Sequence, residues 1–360
     1  MKEKRNEKLK VGVIGLGEVA QVTHLPILES MSDRFEIAAI CDVSPRLLEV
    51  LGDRYRVHNQ YTDAQALTVQ QDLDVVFVLN SDEYHAECVI AAAKNKKHIL
   101  IEKPMTLTLA DADAIIRARD EAGIQVMVGY MRRFAPAFLR TVDEVKKLEK
   151  INYVRIRDII GVNRLMVDQA CMVHRFDDIP ADLSHDKAER AKRMLSEAIG
   201  ESPLALQKAY RLLCGLGSHD LSAMRELLGV PNHVIAASQW NDGKFIHATL
   251  EFNDYHAAFE TGIDQQRRFD AHIEIFAEKK TLKLQYDTPY IRHLPTTLTV
   301  HETIDEAYQE TVIRPTFKDP YTYELEHFYD VATGAIPPKT TPEDYKQDLK
   351  LFQQIIGAMK

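Results

Sequence analysis

The sequence lacks several features that would indicate particular classes of protein. It has no uninterrupted apolar run of about eighteen residues, so no membrane-spanning helix is predicted. Its formal net charge is −9 and no long basic run offsets it, which argues against a nucleic-acid-binding surface. The charged stretch from Lys2 to Lys10 has no apolar core of the kind found in signal peptides. We therefore expect a cytoplasmic protein that binds neither membranes nor nucleic acids.

Cysteine is also scarce. The four cysteines, Cys41, Cys88, Cys171 and Cys214, are widely spaced and form no CxxC pair. Cys41 and Cys88 lie in apolar stretches, which is typical of buried, reduced thiols. The sequence thus predicts neither a disulfide framework nor a metal site.

The composition is that of an ordinary globular protein. Of the 360 residues, 45% are apolar and 28% are charged. This length predicts two domains or one large one, with ample residues to bury a core.

The most informative stretch is KVGVIGLGEVA, from Lys10 to Ala20. Its apolar start predicts a short strand buried on both faces, and Gly15, Gly17 and Ala20 mark a turn into a helix. Gly15 permits the tight turn, while Gly17 leaves room for a pyrophosphate. The positive end of the helix would attract the phosphates. This pattern predicts dinucleotide binding, with a purely structural glycine turn as the alternative.

A second apolar run, Phe35 to Cys41, ends in Asp42. A carboxylate at this place accepts hydrogen bonds from the adenosine ribose. Because Asp42 would repel a ribose 2′-phosphate, we expect NAD rather than NADP.

Polar residues follow two further predicted strands. Leu73 to Leu79 leads into Asn80-Ser81-Asp82, and the next helix carries His85, which is as plausible a structural residue as a functional one. His98 to Ile101 leads into Glu102-Lys103-Pro104. An open α/β sheet binds its ligand at such strand ends. Pro104 favours an extended Lys103, and the bond between them can be cis. We expect Lys103 to be functional, with a solvated surface charge as the alternative.

These motifs together resemble the Gfo/Idh/MocA family, named after glucose-fructose oxidoreductase, inositol dehydrogenase and a rhizopine-catabolism protein. The resemblance is carried by GLGEVA at 15–20, His24-Leu25-Pro26, Asp42, His85, Glu102-Lys103-Pro104 and GYMRRF at 129–134. It implies an N-terminal Rossmann domain and a C-terminal α+β domain with a large open, mostly antiparallel sheet. It also implies hydride transfer between nicotinamide and a sugar or cyclitol alcohol, and a homodimer or homotetramer formed through the C-terminal sheet.

We expect the Rossmann domain over residues 1–133 and the substrate-binding domain over 134–360. The second domain is expected to hold a helical insertion at about 181–207 and a last helix at about 342–359. The amphipathic pattern of Ser184 to Ile199 predicts a helix that either covers a sheet edge or closes over the substrate. Six β-rich segments are predicted there: 152–160, 234–240, 245–252, 256–263, 272–277 and 281–286.

The segment GLGSHDLSAMRELLG, residues 215–229, predicts a helix with Ser218 as its cap and Gly229 at its end. In the first turn, the positive helix end would keep His219 neutral. The resemblance implies that His219 is the catalytic base. Many relatives have an aspartate four residues earlier, where this chain has Gly215. Either another carboxylate such as Asp220 orients His219, or the proton relay differs, or oxidoreductase activity is lost; a structural histidine is the other alternative.

The predicted reaction oxidises a secondary alcohol or reduces the ketone, with His219 taking the proton and Lys103 stabilising the alkoxide. Two alternatives are a glycosidase that retains its NAD and a non-catalytic, NAD-binding regulatory protein. The expected cofactor-binding residues are Gly15, Gly17, Glu18, Val19, Asp42, Asn80, Ser81, His85, Glu102 and Lys103, and the expected substrate-binding residues are Lys103, Arg132, His174 and Asp220.

Overall fold

A computed structural model describes residues 8–360, so most of the charged stretch from Lys2 onwards lies outside the described residues. The chain divides into two compact units. Unit 1 comprises residues 8–129, Cys171–Ala198 and Glu324–Lys346, and unit 2 comprises Tyr130–Ala170, Ile199–Tyr323 and Gln347–Lys360. Neither unit is one continuous stretch of chain: 171–198 and 324–346 cluster with unit 1, whereas the sequence analysis divided the chain once, at 133.

Unit 1 contains a six-stranded parallel sheet in the order β3-β2-β1-β4-β5-β6. Of the two central strands, β4 is buried throughout and β1 is buried except at Lys10, as a parallel sheet covered on both faces requires. The strand order reverses direction between β1 and β4, which is the point where such sheets bind dinucleotides. The predicted Rossmann fold is confirmed. The strands are β1 (Leu9–Ile14), β2 (Phe35–Cys41), β3 (Asn59–Tyr61), β4 (Val75–Val78), β5 (His98–Glu102) and β6 (Val126–Gly129).

Helix α2 of unit 1 begins where the sequence predicts its cap. Ser44 accepts a hydrogen bond from the Leu47 amide and Pro45 is the first residue of α2, both as predicted. Near the end of the chain, α11 adds Phe328, whose ring meets Phe77 edge-on in the core. The helices are α1 (Leu25–Ser30), α2 (Pro45–Tyr55), α3 (Ala64–Thr68), α4 (His85–Lys94), α5 (Leu109–Ala122), α8 (Ala181–Ile199, to residue 198) and α11 (Pro320–Ala332, from residue 324).

Unit 2 contains an eight-stranded sheet in the order β14-β13-β12-β11-β7-β10-β9-β8. Every neighbouring pair is antiparallel except β7 with β10, so the predicted mostly antiparallel sheet is confirmed. The strands are β7 (Ile151–Gly161), β8 (His233–Trp240), β9 (Phe245–Glu251), β10 (His256–Asp264), β11 (Phe269–Ala277), β12 (Lys280–Tyr286), β13 (Thr297–Ile304) and β14 (Ala307–Ile313).

Helices cover one face of this sheet, with α6 packed on β12 and β13 and α10 packed on β7. Strands alternate accordingly: Ile246, Ala248 and Leu250 of β9 are buried and the residues between them are partly exposed. Unit 2 holds α6 (Pro136–Val145), α7 (Arg164–Ala170), α9 (Leu204–Leu212) and α10 (Ser218–Leu228), and it takes α12 (Pro342–Gly357) from residue 347 onwards. Among residues 8–360, no helix is long and apolar enough to cross a bilayer.

Candidate functional site

The glycine turn after β1 has the geometry that a pyrophosphate requires. Gly15 has φ of +94°, and a Cβ built there would lie 2.4 Å from the Asn80 amide nitrogen, so no other residue fits. A Cβ built on Gly17 meets no protein atom within 4 Å. The turn therefore approaches β4 closely on one side and leaves open space on the other.

Asp42 is fixed by main-chain donors. Its Oδ2 accepts a hydrogen bond from the Leu16 amide at 2.8 Å, and its Oδ1 accepts one from the Ser44 amide at 2.9 Å. Burial raises the pKa of Asp42, although these amide bonds work in the opposite direction. The carboxylate thus links the glycine turn to the start of α2, where an adenosine ribose is expected.

Asn80 and His85 order the loop after β4. The fully buried His85 ring places Nδ1 3.0 Å from the Pro104 carbonyl oxygen and Nε2 3.0 Å from the Asn80 carbonyl oxygen. Burial lowers the pKa of His85, which favours the neutral ring. The Asn80 Oδ1 atom is buried and has no hydrogen-bond partner among the described residues, so it can accept a bond from a ligand.

Glu102 braces the end of β5. Its Oε1 lies 2.8 Å from His24 Nε2, and its Oε2 accepts the Lys103 amide at 3.0 Å. Gly129 allows this arrangement, because a Cβ there would lie 3.3 Å from the Glu102 carboxylate. Lys103 is half-buried and joined to Pro104 by a cis peptide bond. Glu102 thus has a structural role in unit 1, and its contact with cofactor stays a prediction.

These features fit a dinucleotide. Open space at Gly17, the anchored Asp42 carboxylate and the unpartnered Asn80 oxygen follow β1, β2 and β4, and Lys103 follows β5. All four strands end at the same edge of a parallel sheet. Among residues 8–360, no group of three His, Cys, Asp or Glu side chains could hold a metal ion.

The remaining predicted cofactor residues also belong to unit 1. Glu18 pairs with Arg175 at 2.7 Å, Val19 precedes a π-helical turn at Ala20–His24, and Ser81 precedes a 3-10 turn at Asp82–Tyr84. Their contacts with cofactor stay predictions.

In unit 2, the helix that carries His219 starts earlier than predicted. The chain stays helical from α9 through a π-helical turn at Leu213–Gly217 into α10, and both Gly217 and Ser218 have helical backbone angles. Ser218 makes no capping hydrogen bond, so its prediction as the N-cap is wrong. The positive helix end therefore lies at α9, not beside His219, and the predicted dipole effect on His219 is also wrong. Gly229, with φ of +87°, ends α10 as predicted.

Arg132 forms a buried cluster with two carboxylates. It donates to Asp220 Oδ1 at 2.6 Å and to Asp158 Oδ2 at 2.9 Å, and its guanidinium carbon lies 4.9 Å from the Tyr286 ring centre. None of the three charged side chains is more than 3% exposed. Burial raises the pKa of Asp220 well above its usual range; Arg132 opposes this shift and Asp158 adds to it. When Asp220 carries a proton, the cluster contains one negative charge, on Asp158, and one positive charge, on Arg132, so its net charge is zero.

This cluster gives Arg132 and Asp220 a structural role within unit 2, and their contact with substrate stays a prediction. Asp158 was missed by the sequence analysis. The available signal was strand alternation, since Asp158 occupies an inward position of β7 between the buried Ile156 and Ile160. An acid at such a position requires a buried partner.

His174 lies in unit 1, beside the helical turn that follows the glycines. Its amide donates to Gln21 Oε1 at 2.8 Å, and its carbonyl oxygen accepts from Gln21 Nε2 at 3.0 Å. The His174 ring stacks on Phe176. Unit 1 thus gathers the predicted cofactor residues, Lys103 and His174, while unit 2 gathers Arg132, His219 and Asp220.

Comparisons with known proteins agree with this geometry. Residues 9–130 match the family model GFO_IDH_MocA, described as "Oxidoreductase family, NAD-binding Rossmann fold". The myo-inositol 2-dehydrogenase of Thermotoga maritima is 35% identical over 138 residues, an alignment that covers 38% of this chain and only 41% of that protein. The inositol 2-dehydrogenase of Salmonella typhimurium is 23% identical over 346 residues, covering 92% of this chain and 88% of that protein.

Solved structures share the whole fold at low identity. A probable dehydrogenase from Thermotoga maritima superposes with a TM-score of 0.70 at 22% identity, covering 98% of this chain and 97% of that one. A levoglucosan dehydrogenase, solved with NADH and levoglucosan, gives a TM-score of 0.74 at 17% identity over 98% and 97% of the two chains. At these identities the structural likeness concerns the fold alone.

Proposed function

We propose that this chain, whose residues 9–130 match the Gfo/Idh/MocA oxidoreductase family model, moves a hydride between NAD and a secondary alcohol of a sugar, sugar derivative or cyclitol. The observation that carries the proposal is the carboxyl edge of the sheet in unit 1. There the open turn at Gly17, the anchored Asp42 and the unpartnered Asn80 oxygen match the parts of a dinucleotide.

Gly15, Gly17, Asp42 and Asn80 would hold the dinucleotide, whose nicotinamide supplies the hydride acceptor when bound. The Lys103 ammonium stabilises the alkoxide that develops on the substrate oxygen. The His219 imidazole takes the hydroxyl proton during oxidation and returns it during reduction.

The substrate class follows from the named activities of the relatives. Two act on inositol by name and a structural neighbour was solved with levoglucosan, so cyclic polyols are the first class to test. Purified protein is incubated with NAD, and separately with NADP, against inositols, aldoses and sugar acids, while absorbance of the reduced cofactor is recorded. We expect reduction of NAD with one polyol class.

Two variants test the catalytic assignments. General acid–base help is worth about 10²- to 10⁴-fold and one electrostatic donor about 10²- to 10³-fold, so Lys103→Met and His219→Asn should each lower kcat by at least about 10²-fold. His219→Asn should leave the binding of NAD intact. Lys94→Met and His185→Asn alter an exposed lysine and an exposed histidine of unit 1 and serve as matched controls. Full activity in both test variants contradicts the mechanism.

Adding glycosides to this screen tests the two alternative functions, a glycosidase that retains its NAD and the regulatory protein suggested by Gly215. Cofactor that copurifies and is never consumed, together with cleavage of a glycoside, would replace the dehydrogenase by an NAD-retaining glycosidase. Binding of NAD without turnover of any polyol or glycoside would favour a regulatory protein.

The location and assembly of the chain are part of the proposal. Cys41 and Cys88 are buried free thiols, which suits a reducing cytoplasm. Assembly as a homodimer or homotetramer through the sheet of unit 2 follows from the family resemblance. Size-exclusion chromatography with light scattering measures the mass in solution and so tests this assembly. The mass of a monomer would contradict it.

A further inference from the structure

The segment of residues 171–190, which we call the strap, packs within unit 1. Its start is fixed beside the glycine turn, where the main chain of His174 exchanges two hydrogen bonds with the Gln21 side chain. Arg175 then pairs with Glu18, next to Gly17. The strap therefore follows the same sheet edge as the predicted dinucleotide contacts.

The strap next reaches the start of α2. Ser44 Oγ donates to Asp178 Oδ1 at 2.6 Å, and the Arg46 amide donates to Asp178 Oδ2 at 3.0 Å, across 134 and 132 residues of chain. The Arg46 guanidinium lies 4.1 Å from the centre of the Phe176 ring. At the start of α2, Asp178 thus binds the Ser44 hydroxyl and the Arg46 amide. Phe176 lies against the Arg46 guanidinium.

Those three groups are the ones that would bind a phosphate. The adenosine ribose is expected at Asp42, and a 2′-phosphate on that ribose would lie over the helix that follows β2. This helix is α2, and the carboxylate of Asp178 already occupies its N-terminal donors. Asp178 is also close enough to Asp42 for its charge to help raise the pKa of Asp42.

We propose that Asp178 determines coenzyme specificity: its carboxylate takes the anion position at the N-terminus of α2 and so excludes the 2′-phosphate of NADP. The inference rests on the proposed binding of NAD at this edge of unit 1. It adds a second acidic determinant to Asp42, supplied by a distant segment of the chain.

The test measures dissociation constants of NADH and NADPH by fluorescence, without any substrate. Asp178→Asn removes the charge but can keep both contacts, because its amide oxygen can accept from the Arg46 amide and its NH2 group can donate to Ser44 Oγ. The Asp178 carboxylate and the 2′-phosphate are both negative and would lie at contact distance. Removing the Asp178 charge should therefore lower the dissociation constant of NADPH about tenfold and change that of NADH by less than about threefold. Asp177→Asn changes the exposed neighbouring acid and should leave both constants unaltered.

Phe176→Ala in the Asp178→Asn background should tighten NADPH further, because it frees the Arg46 cation. If Asp178→Asn fails to fold, Asp178→Ser removes the charge with a smaller side chain and carries the same expectation. Unchanged NADPH binding in a folded charge-removing variant overturns the role of Asp178 while leaving the proposed function intact. Wild-type protein that binds NADPH as tightly as NADH also overturns it, and failure to bind NADH overturns the proposed function as well.

Discussion

Replacing Arg132 by methionine should strongly destabilise unit 2. The substitution keeps an unbranched side chain of useful bulk but removes the cation between Asp158 and Asp220, two carboxylates that are fully buried. Breaking a buried ion pair by removing one partner typically costs about 3–5 kcal/mol, because the remaining charge has neither water nor a counter-ion. We expect a loss of that size in the free energy of unfolding of unit 2.

The assay is urea unfolding followed by tryptophan fluorescence. The chain has a single tryptophan, Trp240, which lies on β8 of unit 2 and stacks on Phe245, so the signal reports this unit. Arg164→Met is the control, since it breaks an exposed pair with Asp168 and should change the unfolding free energy by less than about 1 kcal/mol.

Two further measurements decide whether charge is the cause. Adding Asp158→Asn and Asp220→Asn to Arg132→Met should restore most of the lost stability, since no buried charge then remains. The pKa of Asp220 is raised in the folded state, so its contribution to stability is present at low pH and is lost as the pH rises through that pKa. Asp220→Asn should therefore gain stability relative to wild type as the pH increases. A loss below about 1 kcal/mol in Arg132→Met, or no recovery in the triple variant, would refute the reasoning.

Three other outcomes follow from local geometry. Gly17→Val should fold normally but bind NADH at least about tenfold more weakly by fluorescence titration, whereas Gly15→Ala should lower the melting temperature because its Cβ meets main chain. Burial raises the pKa of Cys41 and of Cys88 to about 12, so neither should react with iodoacetamide at pH 8 until urea unfolds the protein; rapid labelling of either would contradict this. Gly215→Asp should fold, because its Cβ meets no atom within 4 Å, and a changed pH profile of kcat would show that the new carboxylate reaches the proton relay.

The sequence predicts the Rossmann half well because its signals are local. The buried strands are continuous apolar runs, and Ser44 and Pro45 mark a helix start by their own chemistry. Four strands were not predicted: β3, β6, β13 and β14. Strands β3 and β6 are only three and four residues long, and β14 is exposed almost throughout, so it presents no buried face.

The prediction of a helix start at Ser218 failed for a different reason. A serine before an amphipathic run resembles a cap, but the preceding π-helical turn at Leu213–Gly217 continues the helix through it. That turn depends on main-chain hydrogen bonds that leave no compositional signal.

The polar partners of the site could not be inferred from spacing. The contact of Arg132 with Asp220 joins residues 88 positions apart, and that of Ser44 with Asp178 joins residues 134 apart. Only the tertiary structure brings such residues together. The sequence analysis therefore named Arg132 and Asp220 as candidate substrate-binding residues without predicting their contact, and it did not single out Asp178.

The three-part composition of unit 1 limits how this protein can be cut, fused or recombined. A fragment ending near residue 133 would contain every glycine and acid of the fingerprint but would lack Asp178 on α2 and Phe328 against Phe77. Such a fragment would expose apolar core and leave the start of α2 without its carboxylate. Exchange of coenzyme modules between relatives must therefore carry all three segments, and a crossover at a single point would separate residues that fold together.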